Sequence, residues 1–162
     1  MAKTTPHVTP LEERLSYRCS MIATRIARFL APMWESRHGL STDTWRTMAI
    51  IGRYGPMSAK GVATHTSTDA FHVSRAVDRL VHKGLVRRNV DPEDRRRVRL
   101  ELSSAGRRAQ REIEIALSRV EEEILAGLGR RERQILQSAL ANLQERALSL
   151  TGSGLTWRDF AD

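Results

Sequence analysis

The residues able to do chemistry are concentrated between positions 68 and 99. From Arg75 to Arg99 stand nine cations (Arg75, Arg79, Lys83, Arg87, Arg88, Arg95, Arg96, Arg97 and Arg99) against four acids, Asp78, Asp91, Glu93 and Asp94. That surplus of five is most of the net charge of +8 carried by all 162 residues. Guanidinium groups pair with phosphate through two parallel hydrogen bonds and keep their charge at any physiological pH. Just ahead of Arg75, the residues Thr68, Phe71, His72 and Ser74 add hydroxyls, an imidazole and an apolar ring. This mixture suits a polyanion whose bases are read as well as its backbone. Taken alone, the run Arg95-Arg96-Arg97 better suits a solvated hairpin tip, and only behind a helix-turn-helix does it better suit DNA. His72 reads equally as a surface histidine or a DNA contact. Phe71 either touches a base or packs on a neighbouring helix.

The rest of the composition narrows the class. A sequence pI near 10.9 fits a nucleic-acid binder, although a basic balance also fits an anionic membrane surface. No apolar run approaches a membrane span, and Lys3 is not followed by the apolar stretch of a signal peptide. Cys19 is the single cysteine, so no disulfide framework or multi-cysteine zinc site is available, and a cytoplasmic location is expected. The five histidines (His7, His38, His65, His72 and His82) have no metal-ligand spacing. No zinc motif, P-loop, dinucleotide loop or nucleophile elbow is present. The expectation is therefore a non-enzyme without metal or cofactor.

Helices must position these residues. Residues 1–10, with Pro6 and Pro10, read as a flexible arm. A helix is expected from about Leu11 to before Gly39, with Leu11, Leu15, Cys19, Ile22, Ile26, Phe29 and Met33 forming a long apolar stripe and Pro32 disturbing its last turns. The next helix opens at Ser41-Thr42-Asp43-Thr44 and buries Trp45, Met48, Ala49, Ile50 and Ile51. Ser58 caps a short helix, Ala59 to His65, and Thr66-Ser67-Thr68 breaks it. Asp69 caps the following helix, which runs to Lys83 and ends at Gly84, with Val73, Val77, Leu80 and Val81 inward. After Gly84 the period changes. Two strands, 85–90 and 97–102, flank the turn Asp91-Pro92-Glu93-Asp94. A long helix with Ile113, Leu117, Val120 and Ile124 follows, then Gly127 and Gly129, then a last helix with Ile135, Leu136, Ala139, Leu140, Leu143, Ala147 and Leu150. Residues 151–162, with Trp157 and Phe160, read as a tail. Short helix, break, second helix and basic hairpin make a winged helix-turn-helix. The fold class is mainly α with a small β-hairpin.

Four stretches resemble the MarR family of bacterial transcriptional regulators: Val73-Ser74-Arg75-Ala76-Val77-Asp78-Arg79-Leu80, Gly84-Leu85-Val86-Arg87-Arg88, Asp91-Pro92-Glu93-Asp94-Arg95-Arg96, and Leu102-Ser103-Ser104-Ala105-Gly106. The resemblance spans about Leu11 to Leu150. It implies one domain over 11–150, with dimerisation helices at 11–38 and 104–150. The DNA-binding lobe is then 41–102, with recognition helix 69–83 and wing 85–102. It implies a triangular homodimer on a pseudo-palindromic operator. Arg96 matches the wing-tip arginine that enters the minor groove, Asp94 the acid that orients it, and Thr68 to Arg75 the base-reading segment. Arg79, Arg95 and Arg97 complete the expected DNA contacts. The chain departs from the family pattern at Thr66-Ser67-Thr68, where many relatives have an apolar-Gly-apolar turn, and in its bulky Phe71 and His72.

The resemblance also implies a small-molecule effector between the first two helices and the lobe, where Tyr17, Arg18, Arg25, Trp45, Arg46 and Met48 fall. Arginine beside aromatic and apolar groups suits an aromatic acid or phenol. Read residue by residue, Trp45 fits the core better, and Arg18 and Arg46 the surface. Some relatives sense peroxide through a cysteine near the start of the first helix. That position is Ser16 here, and Cys19 lies a turn later on the apolar stripe, where a thiol is buried and inert. The expected function is a dimeric repressor released from its operator by a ligand. The competing functions are a non-specific architectural DNA-binding protein, a redox regulator using Cys19, and a small-molecule binding module.

Overall fold

The computed structural model describes residues 8–66, 69–92 and 94–160. The flexible-arm expectation falls largely on residues 1–7, outside the described residues. The chain divides into two compact units, Met1–Ser118 and Arg119–Asp162.

In the first unit a 3-10 turn at Leu11–Glu13 precedes α1, Leu15–His38. The expected start near Leu11 is therefore split. Arg14 is extended (φ −65°, ψ 129°) and no side chain caps the helix, while Arg18 Nε donates to the Glu12 carbonyl at 2.7 Å and ties the turn down. Pro32 lies inside α1, which continues to His38. There Gly39 takes the left-handed conformation (φ 60°). Its N–H bonds to Glu35 O at 2.9 Å and that of Leu40 to Trp34 O at 3.1 Å, which satisfies carbonyls the helix end would otherwise leave bare.

Three helices follow: α2 (Thr42–Tyr54), α3 (Ala59–Thr66) and α4 (Ala70–His82). Ser41 Oγ accepts from Thr44 N–H at 3.3 Å and Ser58 Oγ from Gly61 N–H at 3.1 Å, so both expected serine caps are present. The core lies among these helices and the hairpin. Trp34 and Trp45 stack with centroids 6.3 Å apart. Met48, Ile51, Val62, Val73, Val77 and Leu80 are fully enclosed.

Strands β1 (Val86–Val90) and β2 (Val98–Leu102) pair antiparallel, Val86 opposite Leu102 and Val90 opposite Val98. Met57 adds a bridge to Leu100, with N–H···O bonds of 3.2 and 2.7 Å. The wing's base is thereby stitched to the segment before α3. Next comes α5, Ser104–Ile124. Ser103 explains the Leu-Ser-Ser-Ala-Gly run: its hydroxyl donates to Gly84 O at 2.6 Å and accepts from Gly106 N–H at 3.0 Å. A Cβ on Gly106 would stand 2.0 Å from the Leu85 carbonyl oxygen, so only glycine allows this approach. At the far end of α1, Arg37 pairs with Glu112 of α5, and His38 Nε2 lies 3.4 Å from the same carboxylate. The Arg37 hydrogen bond holds the Glu112 carboxyl below its ordinary value.

In the second unit, α6 (Arg130–Gly152) follows a turn held by Arg133, which donates to Leu128 O at 3.1 Å and Leu125 O at 2.9 Å and pairs with Glu122 at 2.6 Å. No residue of α6 is buried. Trp157–Phe160 forms a 3-10 turn, closed by Thr156 N–H to Asp159 at 2.6 Å, and both aromatic rings are exposed.

Candidate nucleic-acid interface

The local sequence builds α4 from its cap outward. Asp69 Oδ1 accepts from the backbone N–H of Phe71 at 2.9 Å and of His72 at 3.0 Å. Its Oδ2 meets His72 Nδ1 at 2.6 Å. These bonds, led by the His72 N–H, hold the Asp69 carboxyl below its ordinary value. Val73, Ala76, Val77 and Leu80 face the core, so the 3.6-residue period turns Phe71, His72, Ser74, Arg75 and Arg79 outward, and all five are exposed. The Arg75 guanidinium lies 5.7 Å from the Phe71 ring centroid, within cation–π range. His72 meets the same ring edge-on at 5.8 Å. Phe71 therefore packs on its own helical neighbours and stays 65% exposed. Thr68 lies outside the described residues.

The wing is braced by two ion pairs that sequence reasoning missed. Asp78 of α4 pairs with Arg88 of β1. Asp91, 5% exposed, accepts from Arg99 Nε at 2.6 Å, and its N–H bonds to Arg97 O at 2.9 Å. The only sequence signal for the second pair was an Asp-Pro step opening the turn. Asp94 differs from expectation. Its Oδ1 accepts from the backbone N–H of Arg96 at 3.1 Å, while its ion pair goes to Arg97 Nε at 3.1 Å. The carboxylate thus shapes the turn at Arg96 and binds the side chain three residues on, as an Asp at a turn start does. Arg95, Arg96 and Arg97 are exposed, and no described acid pairs with Arg95 or Arg96. Ser74 and Arg88, with Ala59, Val77, Val98 and Leu100, line a cavity of about 260 Å³ between α3, α4 and the hairpin. Ser74 therefore sits on the wing side of α4.

The six ligand candidates are not brought together. Trp45 and Met48 are core, enclosed by Trp34 and the helices around it, while Tyr17, Arg18, Arg25 and Arg46 stand at the surface. None of the six lines the 260 Å³ cavity or the larger one of about 560 Å³ beside Leu128, Arg130, Arg133, Gln134 and Gln137. Cys19, expected to be buried, is exposed. So are Leu11, Leu15, Ile22 and Phe29 of the same stripe. Among the described residues no His, Cys, Asp and Glu cluster could hold a metal, and no helix is long and apolar enough to cross a membrane.

Residues 40–98 match the sequence profile of the MarR family. This lobe is a MarR-family domain. Solved structures agree over most of the chain. A MarR-family transcriptional regulator from Silicibacter pomeroyi is 27% identical over 83% of this chain and 90% of its own, with a TM-score of 0.71. The structure of MarR, 22% identical, covers 91% of this chain and 99% of its own at a TM-score of 0.77. That of Streptococcus pneumoniae FabT in complex with DNA, 20% identical, covers 86% and 99% at 0.72. No curated protein sequence matches the chain. The mainly helical fold with its two-stranded wing is the winged helix of MarR structures, and MarR-family proteins are DNA-binding transcriptional regulators.

Proposed function

We propose that the protein is a dimeric repressor that lays α4 in the major groove of a pseudo-palindromic operator and puts Arg96 of the wing into the minor groove. The observation that carries this reading is the outward row of α4, where Phe71, His72 and Arg75 are exposed while the other face is enclosed. The major groove admits one helix, and a helix fixed by Asp69, the core and Arg88 is held rigidly enough to read base edges. Beside it, Arg95 and Arg96 stand on a turn shaped by Asp94 and Asp91. A narrow A·T-rich minor groove concentrates the negative potential that draws such an arginine.

Two features support the dimer. Much of the α1 stripe (Leu15, Ile22 and Phe29) and the apolar side chains of α6 (Ile135, Leu136, Leu140, Leu143, Leu148 and Leu150, at 36–73%) are exposed. Exposed apolar area of this extent is characteristic of an association surface. Release by a small aromatic acid or phenol belongs to the same proposal, with Arg18 or Arg46 meeting its polar group. Trp45 stacks on Trp34, so a ligand reaching that ring must part α1 from α2. Such a ligand weakens DNA binding only through a higher affinity for the form that does not fit the operator.

Footprinting on genomic DNA tests the proposal. Protection confined to a two-fold symmetric site supports it. Uniform protection of every fragment shows an architectural protein instead.

A further inference from the structure

We propose that Asp69 is a positioning residue that decides which ring nitrogen of His72 carries the proton, and so which bases His72 selects. This rests on the reading of α4 as the base-reading helix. The carboxylate is engaged on both oxygens. Oδ1 takes the backbone N–H groups of Phe71 and His72, which fixes its orientation. Oδ2 then lies 2.6 Å from His72 Nδ1. Two acceptors at that separation repel, so Nδ1 must be the protonated nitrogen. In the neutral imidazole the other nitrogen, Nε2, is then left with its lone pair and can only accept. The His72 side chain is 64% exposed, so Nε2 remains available to a partner.

In the major groove the donors are the amino groups of adenine (N6) and cytosine (N4), whereas guanine O6 and N7, thymine O4 and adenine N7 are acceptors. His72 therefore favours adenine or cytosine at the position it faces and disfavours guanine and thymine there. The helix cap and the base reader are one device. The bonds that start α4 also set the polarity of its reading atom.

The substitution Asp69→Asn inverts the device without removing the cap, because asparagine caps helices as well as aspartate. Its Oδ1 keeps the two backbone N–H groups. Its Nδ2 occupies the Oδ2 position and donates to Nδ1, which moves the ring proton to Nε2 and makes Nε2 a donor.

Two measurements test this on the whole protein at about pH 8, where an ordinary imidazole is neutral. The first is the ¹⁵N chemical shifts of the His72 ring in the free protein. The second is selection of binding sites from random duplex DNA by the parent, Asp69→Asn and His72→Ala. The expected result is an Nδ1–H tautomer in the parent and an Nε2–H tautomer in Asp69→Asn. Cytosine, which offers only a donor, should lose and guanine and thymine, which offer only acceptors, should gain by roughly five- to tenfold in Asp69→Asn, adenine suiting both forms, and His72→Ala should lose the preference. A mixed tautomer in the parent, or one unmoved by Asp69→Asn, overturns the inference whatever the DNA result. A motif unchanged in both variants also overturns it and leaves the repressor reading intact. If the parent itself enriches no motif, the repressor reading falls with it.

Discussion

Helices α4 and α6 carry apolar residues at the same spacing and meet opposite fates. In α4, Val73, Ala76, Val77 and Leu80 are at most 6% exposed, because α2, α3 and the wing close over them. In α6, Ile135 is 59% exposed, Leu140 47% and Leu143 40%. Periodicity tells which face of a helix is apolar, not what covers it. The covered face holds α4 rigidly, as the proposed reading of DNA requires. In the proposed dimer the exposed face of α6, like the stripe of α1, packs against a second copy of the chain.

The largest effect expected from that contrast is on α6. Leu140→Asp with Leu143→Asp should turn a particle of twice 18.3 kDa into one of 18.3 kDa in sedimentation. Operator affinity should fall by at least about a hundredfold as the two linked half-site contacts become one. A parent that already sediments as a folded monomer at micromolar concentration breaks the comparison.

Next come changes on the covered side, which should act on folding itself. Leu80→Ala should lower stability by about 2–5 kcal/mol through the cavity it leaves. Gly106→Ala should cost about 1–3 kcal/mol or more through its clash with the Leu85 carbonyl. Denaturant titration measures both. The deficit should not recover at higher protein concentration, as a deficit of assembly would.

Arg96→Ala should weaken operator binding by about tenfold with unchanged melting temperature, in keeping with a contact worth roughly 1–3 kcal/mol. Asp94→Ala should do less, since the carboxylate only shapes the turn and holds Arg97. A salt series of gel shifts reads both, and equal binding by Arg96→Ala and the parent would refute the wing's role.

The smallest expected effect is the pH dependence at Glu112. Its carboxyl is held below the ordinary value of 4.5 by Arg37, so the pair stabilises the fold above that pH and loses its effect as pH falls through the lowered value. The melting temperature of the parent should exceed that of Glu112→Gln at pH 7, and the gap should close in acid.

Much of the lobe was legible because its signals are local. The Ser41, Ser58 and Asp69 caps, the inner face of α4, the Gly84 stop and the alternation of the wing each follow from a few neighbouring residues. What escaped depends on distant partners. The bridge from Met57 to Leu100 and the pairs Asp78–Arg88 and Asp91–Arg99 join residues that no short pattern links. Trp45 was expected in the core, but the stacking of Trp34 on it, from another helix, was not. Cys19 lies on an apolar stripe, but a stripe alone does not bury a thiol.

The central claim is that two copies of α4 and of the wing read one symmetric site. Selection of the parent protein's binding sites from random duplex DNA tests it most directly. The account predicts two inverted half-sites about 10 base pairs apart, the spacing that puts two recognition helices into successive major grooves, with A·T-rich steps where Arg96 enters. Enrichment of no sequence, or of a single half-site without a symmetric mate, would contradict it.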